Sequence, residues 1–289
     1  MHLTLNQKTG ELLLAAVIVA RSTSFLFSKI VLESLEPMTL MAVRFLIAFL
    51  FLVLLFHKRL RGLKKETLLR GMILGGSFFA VMVAELFSLR ITASSTVSFL
   101  ENTAIVFVPL IEGIIHKKFP RFPLLLSMLI TMVGIGLLTL QNGFAIAMQS
   151  GELLALLAAV LYAVAIILTD RISRQDDSFV LGILQVGFMG FFALIAAFLI
   201  ETPRLPAGTT EWGLILALSF ICTGFGFTLQ PVAQSYTTSE RAGMLCALSP
   251  VASAILGWIF LHEVLGMTGI LGAVLVMSGI LLSTISKHE

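Results

Sequence analysis

Gly10-Glu11-Leu12-Leu13 opens the first long apolar run of this chain, and the same four residues return 141 positions later as Gly151-Glu152-Leu153-Leu154. Further along, Met132-Val133-Gly134 aligns without gaps with Met277-Ser278-Gly279, at an offset of 145 positions. The chain therefore carries two copies of one module. We expect the first copy to cover residues 1–145 and the second to cover residues 146–289. Repeated halves of this kind are typical of membrane transporters whose binding site lies between the repeats.

The composition places both copies in a lipid bilayer. Hydrophobic residues make up 58% of the 289 residues and charged residues only 12%, against about 25% charged residues in soluble domains. Ten apolar runs are each about 20 residues long, which is the length of an α-helix that crosses a bilayer. We predict an all-α membrane protein with ten transmembrane helices, at about residues 11–31, 38–56, 68–89, 94–115, 122–140, 151–170, 178–200, 211–230, 240–261 and 267–285.

The lysines and arginines predict how these helices are oriented. Fourteen of them fall at the two termini or in alternate connections, whereas the opposite connections hold only Arg90 and Arg204. Because basic residues accumulate on the cytoplasmic side, both termini are predicted to be cytoplasmic in a multi-pass protein of the plasma membrane. Five helices per copy is an odd number, so the second copy enters the membrane from the other side. The two copies are therefore predicted to be inverted repeats.

The ninth predicted helix resembles a known family. Its residues Ala242-Gly243-Met244, Leu248-Ser249-Pro250-Val251 and Leu261-His262-Glu263 are similar to the helix-nine pattern of EamA-type transporters in the drug/metabolite transporter superfamily. Phe25, Lys29, Pro37 and Arg44 match the first two helices of the same pattern. The resemblance covers nearly the whole chain. It implies ten helices in two inverted repeats and transport by alternating access.

The chain departs from this family pattern at two places where the family builds its cavity. Arg21 stands where a tryptophan is usual in the first helix. In the fourth helix, Glu101 and Asn102 begin the stretch that usually holds a Ser-Pro pair, and the proline has moved to Pro109. The resemblance therefore does not indicate the substrate.

Only the first copy carries charges deep within its predicted helices. At the repeat offsets, Arg21 aligns with Tyr162, Arg44 with Gln185, Glu85 with Gln230 and Glu101 with Cys246. A charge in the bilayer core costs at least about 2.5–3.5 kcal/mol, so each of these groups needs a partner or a water-filled cavity. We predict a substrate site made of Arg21, Arg44, Glu85, Glu101, Asn102, Tyr162, Gln185 and Gln230.

The mixed signs of these charges favour an amphoteric ligand, and their net negative sum also admits a cation. Arg21 or Arg44 would bind a carboxylate, and Glu85 or Glu101 would bind an amine. A carboxylate in a partly dry site can take up and release a proton, so Glu101 is predicted to couple transport to protons. The alternative for Arg44 is a buried ion pair with Glu85 or Glu101 that only supports the fold.

These features predict a secondary active transporter, a proton-coupled exporter of a small polar metabolite such as an amino acid or amine. The alternatives are a multidrug or organic-cation efflux transporter, a channel, or a membrane-embedded enzyme. The sequence has no H-E-x-x-H, no G-x-S-x-G and no G-x-x-x-x-G-K-[ST] segment. We therefore predict no catalytic residue, no metal and no cofactor. The expected partners are the substrate, protons and the bilayer, without nucleic acid, for a monomer or a dimer.

Overall fold

The computed structural model describes residues 6–92, 94–117, 120–139, 150–252, 255 and 266–285. Leu261-His262-Glu263, which contributes to the family resemblance, lies outside these residues, as do Lys118 and Lys287. The helices in chain order are α1 (Gln7–Val31), α2 (Pro37–Phe56), α3 (Lys65–Ile91), α4 (Ser94–Asn102), α5 (Ala104–His116), α6 (Phe122–Thr139), α7 (Ser150–Ser173), α8 (Ser178–Ile200), α9 (Thr209–Ala217), a π-helical segment (Leu218–Phe227), α10 (Thr228–Gln234), α11 (Ser239–Cys246), α12 (248–252) and α13 (Met267–Ile285).

These elements make up ten membrane-spanning helices in two inverted five-helix repeats, as predicted. Within the described residues, seven spans are long and apolar enough to cross a bilayer, and α6 and α13 contain shorter apolar helices. The α4–α5 pair forms the fourth span, and α9, the π-helical segment and α10 form the eighth. α11 and α12 belong to the ninth. The larger apolar core joins α1, α2, α3, α7 and α8, and a smaller one lies between α5, α6, α11 and α13.

Equivalent glycines of the two repeats make equivalent contacts. A Cβ atom on Gly10 would lie 2.4 Å from Cβ of Tyr236, and one on Gly151 would lie 1.9 Å from Oγ1 of Thr92. α1 thus packs closely against the end of the eighth span, and α7 packs in the same way just after the end of the third. Reciprocal contacts of this kind follow from a pseudo-two-fold axis that exchanges the repeats.

The fourth span breaks at Thr103, where α4 ends one residue earlier and α5 begins one residue later. Nδ2 of Asn102 donates to the carbonyl of Ser98 at 2.7 Å, and Oγ1 of Thr103 donates to the carbonyl of Leu100 at 2.5 Å. Side chains that bond to nearby carbonyls compete with the helical backbone, which accounts for the interruption. The break leaves Glu101 and Asn102 at the interface between the two repeats.

Two prolines shape the eighth and ninth spans. α11 ends at Cys246, and Pro250 has no N–H to donate to the carbonyl of that residue. Pro231 stands in the same relation to Phe227, the last residue of the π-helical segment. The end of α11 at Cys246 is equivalent to Glu101, one residue before the end of α4. π-Helical turns are frequent at functional sites, and the broken helices of transporters form binding sites near the membrane midplane.

Candidate functional site

A central cavity lies where the two repeats meet. α1, α3 and α4 supply one wall, and α7, the π-helical segment and the ninth span supply the other. The cavity has a volume of about 30 Å³. This is enough for about two water molecules at roughly 10–15 Å³ each. A metabolite therefore needs the repeats to move apart. The cavity is lined by Ile18, Arg21, Ser24, Phe25, Met82, Glu85, Glu101, Asn102, Tyr162, Phe227, Cys246 and Ser249.

Arg21 reaches from α1 to the second repeat. Its Nη1 atom donates to Oη of Tyr162 at 3.0 Å and to Oε1 of Gln230 at 2.6 Å. Nε and Nη2 make no hydrogen bond among the described residues, and together they carry three N–H groups. Because Arg21 lines the cavity, this edge of the guanidinium is available to a ligand.

Three aromatic rings surround the Arg21 guanidinium. Its Cζ atom lies 4.1 Å from the ring centroid of Phe227, 5.2 Å from that of Tyr162 and 5.7 Å from that of Phe78. Phe78 stands edge-on to the other two rings, with centroids 5.6 Å from Phe227 and 6.1 Å from Tyr162. The aliphatic part of Arg21 packs on Gly226, where a Cβ atom would lie 2.6 Å from Arg21 Cγ. We call Phe78, Tyr162 and Phe227 the aromatic cage.

Glu85 and Glu101 form a buried carboxyl pair, exposed by only 3% and 4%. The two carboxyl groups lie close enough to interact directly with each other. Oε2 of Glu101 accepts no hydrogen bond from an N–H or O–H group of the described residues. Ionised carboxylates only accept hydrogen bonds, so this pair is bonded only when it holds a proton. The charge of Arg21 acts on both carboxyl groups.

Arg44 lies outside the cavity lining and is 1% exposed. Its Nε atom donates to Oγ1 of Thr223 at 2.7 Å, and its Nη1 atom donates to Oγ of Ser24 at 2.8 Å. The structure thus pairs Arg44 with hydroxyl groups of the π-helical segment and α1, instead of the acidic partner that the sequence suggested. Arg44 joins the repeats behind the cavity wall.

Of the other predicted residues, some line the cavity and the others lie behind its lining. Asn102 and Tyr162 line the cavity, and Gln230 holds Arg21 from behind. Gln185 is fully buried outside the lining, and its side-chain amide has no partner among the described residues. Cys246, which sequence reasoning left out of the site, lines the cavity with Sγ 3.4 Å from Oη of Tyr162. Its alignment with Glu101 was the signal that could have identified it.

The EamA-like transporter family matches this sequence over residues 8–140 and 149–285. The chain belongs to that family. It is 27% identical over 274 residues to a protein of Archaeoglobus fulgidus named as an uncharacterized transporter, with 94% of this chain and 85% of that protein covered. A second Archaeoglobus fulgidus protein of the same description is 27% identical over 300 residues, covering 99% of this chain and 100% of that protein.

A more distant relative and a solved structure are also similar to this chain. The uncharacterized transporter YoaV of Bacillus subtilis is 22% identical, with 89% of this chain and 90% of that protein covered. A protein of known crystal structure superposes with a TM-score of 0.79 at 18% identity, and 96% of this chain and 97% of that one are covered. This similarity shows a common fold. Family and relatives together identify a membrane transporter, as predicted.

Polar contacts between the repeats close the EamA-like bundle at both ends. At the end that holds the start of α1, Nη1 of Arg241 lies 2.5 Å from Oε1 of Glu11. At the opposite end, Oγ of Ser88 donates to the carbonyl of Gly151 at 2.7 Å. Polar contacts thus join the two repeats at both ends of the bundle.

Proposed function

We propose that this chain is a proton-coupled secondary transporter that exports a small zwitterion or amine, such as an amino acid. It acts in the plasma membrane with both termini in the cytoplasm, and it moves its ligand by alternating access. The observation that carries this proposal is the buried Glu85–Glu101 pair, which faces the same cavity as Arg21.

The carboxyl pair is suited to exchange a proton for a cationic group. With one proton on the pair, the charges of Arg21, Glu85 and Glu101 cancel, and without that proton they sum to a single negative charge. The ammonium group of a ligand brings one positive charge to the carboxyl pair, as the proton does. Proton and substrate therefore compete for the carboxyl pair. If the protein changes orientation only with one of the two bound, each substrate molecule that moves out is exchanged for a proton that moves in.

Arg21 supplies the complementary group for a carboxylate. The Nε and Nη2 edge of a guanidinium binds both oxygens of a carboxylate side-on. An α-amino acid would place its carboxylate on this edge and its ammonium group on Glu85 and Glu101. This arrangement assigns the ligand's carboxylate end to Arg21 and its ammonium end to α3 and α4.

The test is transport by purified protein in liposomes. An outwardly directed amino acid gradient should drive proton counterflow, and an imposed pH gradient should drive uphill amino acid movement. Saturation and exchange of labelled for unlabelled substrate separate a carrier from a channel. Transport that ignores the pH gradient would reject the coupling, and transport only of ligands without a carboxylate would reject the role of Arg21.

A second candidate is efflux of organic cations, favoured by the carboxyl pair and by the aromatic ring of Phe25 in the same lining. Aromatic faces attract organic cations. The same liposomes report this activity when loaded with a quaternary ammonium compound. Export of that compound without amino acid transport would select the second candidate.

A further inference from the structure

The aromatic cage has the chemistry of a cation-binding site. Three ring faces approach a single point, and all are within 6 Å of the cation that lies there. The rings come from α3, α7 and the π-helical segment, so both repeats contribute. Aromatic cages of this kind bind quaternary ammonium and methylated ammonium groups. Here the occupant is a guanidinium of the chain itself.

We infer that Phe78, Tyr162 and Phe227 form an organic-cation site that Arg21 fills from within the protein. Two hydrogen-bond acceptors, Oη of Tyr162 and Oε1 of Gln230, also point at this position. The carboxyl pair of Glu85 and Glu101 adds negative charge nearby. Removing the Arg21 side chain would leave a pocket with ring faces, acceptors and negative charge, all of which are complementary to a cation.

The space that the Arg21 side chain occupies fits that side chain closely. Its Cγ atom packs where a Cβ atom on Gly226 would be, and the three rings are buried, with exposures of 0%, 6% and 1% for Phe78, Tyr162 and Phe227. A ligand cation therefore cannot enter the cage while Arg21 is in place. Arg21 is then a specificity-determining residue, which excludes organic cations from the cage and turns its free edge toward ligands with a carboxylate. Only this last step rests on the proposed function.

The experiment measures cation binding to the detergent-purified protein by calorimetry, with tetramethylammonium and methylguanidinium as probes. Arg21→Ala should bind both cations at least about tenfold more tightly than the wild-type protein does. Adding Phe227→Leu to Arg21→Ala should remove most of that gain. Urea, which is planar like guanidinium but neutral, should not bind.

Arg59→Ala is the matched control. The Cζ atom of Arg59 lies 5.3 Å from the ring centroid of Phe179, and this contact involves a single ring. Removing an arginine that contacts only one aromatic ring should not create a cation site. If Arg21→Ala is unstable, thermal unfolding replaces calorimetry, and methylguanidinium should raise its melting temperature whereas urea should not.

Equal cation binding by Arg21→Ala and the wild-type protein would overturn the inference, as would a gain that survives Phe227→Leu. Absence of any methylguanidinium rescue in an unstable Arg21→Ala protein would overturn it too. These measurements need neither substrate nor a proton gradient. A negative result for proton-coupled export would therefore not contradict the cation site. A negative result for the cation site would not contradict the export proposal, which transport assays test separately.

Discussion

Arg21 and Tyr162 occupy the same position in the two repeats, and they meet across the cavity with 3.0 Å between Nη1 and Oη. Tyr162 also contacts Cys246, the residue that aligns with Glu101. Contacts between equivalent residues place the pseudo-two-fold axis through the cavity. The chemistry of the two walls differs, because charge lies on the first repeat and neutral polar groups on the second.

Replacing Glu101 by glutamine should uncouple transport from protons while the protein stays folded. An amide keeps the shape of the side chain, but it cannot release a proton in this pH range. In liposomes, exchange of amino acid should persist, and uphill movement driven by a pH gradient should be lost. Glu66→Gln, at an exposed position in the first turn of α3, is the control and should behave as the wild-type protein does. A retained response of Glu101→Gln to the pH gradient would contradict the coupling role.

Replacing Arg21 by lysine should weaken the binding of zwitterions selectively. Lysine keeps the positive charge but loses the side-on edge that holds two carboxylate oxygens. We expect the KM for an amino acid to rise about tenfold, with a much smaller change for its decarboxylated amine. Transport assays with both compounds check this. An equal rise in KM for the amino acid and the amine would show that Arg21 does not bind the carboxylate.

Replacing Thr223 by valine should destabilise the fold and leave the KM unchanged. The substitution removes the acceptor of Arg44 Nε, which is then buried without a partner. A charged donor left unsatisfied in this way costs about 3 kcal/mol or more. Thermal unfolding in detergent measures the loss, with Thr210→Val at an exposed position as the control. A changed KM at unchanged stability would place Arg44 in the binding site.

Replacing Gly182 by alanine should disrupt the packing of α8 on α10. Its Cβ atom would lie 2.0 Å from the backbone carbonyl oxygen of Thr228, and backbone cannot rotate away as a side chain can. Overpacking of this kind typically costs about 1–3 kcal/mol or more. Gly213→Ala is the matched control, because nothing lies within 4 Å of its Cβ position. The yield of monodisperse protein should fall for the first variant, whereas equal yields would contradict this close approach.

The loop after α7 should stabilise the fold in a pH-dependent way through Asp176. Burial opposes ionisation of this carboxyl, but hydrogen bonds from Thr67, the backbone N–H of Asp177 and Arg70 outweigh it, so the pKa of Asp176 is lowered. Because the folded pKa lies below the unfolded one, the stabilisation is complete above the unfolded value near 4 and is lost as the pH falls through the folded value. Asp176→Asn should lower the melting temperature at pH 7 by more than at the lowest pH at which the protein stays folded. Equal losses at both pH values would be inconsistent with an ionised Asp176.

The fold could be predicted because it depends on features that are visible along the sequence, namely the length of the apolar runs and their repetition. Run length defined the spans, and the recurrence of Gly10 at Gly151 defined the repeats. The charged lining of the cavity could be predicted as well, since Arg21, Glu85 and Glu101 are too costly to place in lipid without a cavity or a partner.

The aromatic cage could not be predicted in the same way. Phe78 and Phe227 are two of 23 phenylalanines, and a ring that faces a cation looks like a ring that packs in a core until the helices are placed. The partners of Arg44 posed the same problem. Many serines and threonines lie in the spans, and the spacing along the chain does not show that Ser24 and Thr223 come together.

Two identical repeats would make the inward-facing and outward-facing states equivalent by a two-fold rotation, with equal free energy. In this protein the carboxyl pair and Arg21 all belong to the first repeat, so that equality is lost. One of the two orientations can then have the lower free energy. Under the proposed coupling, a proton on the carboxyl pair would change the free-energy difference between the two orientations. The more populated orientation, and with it the slow step of the proposed cycle, would then shift with pH.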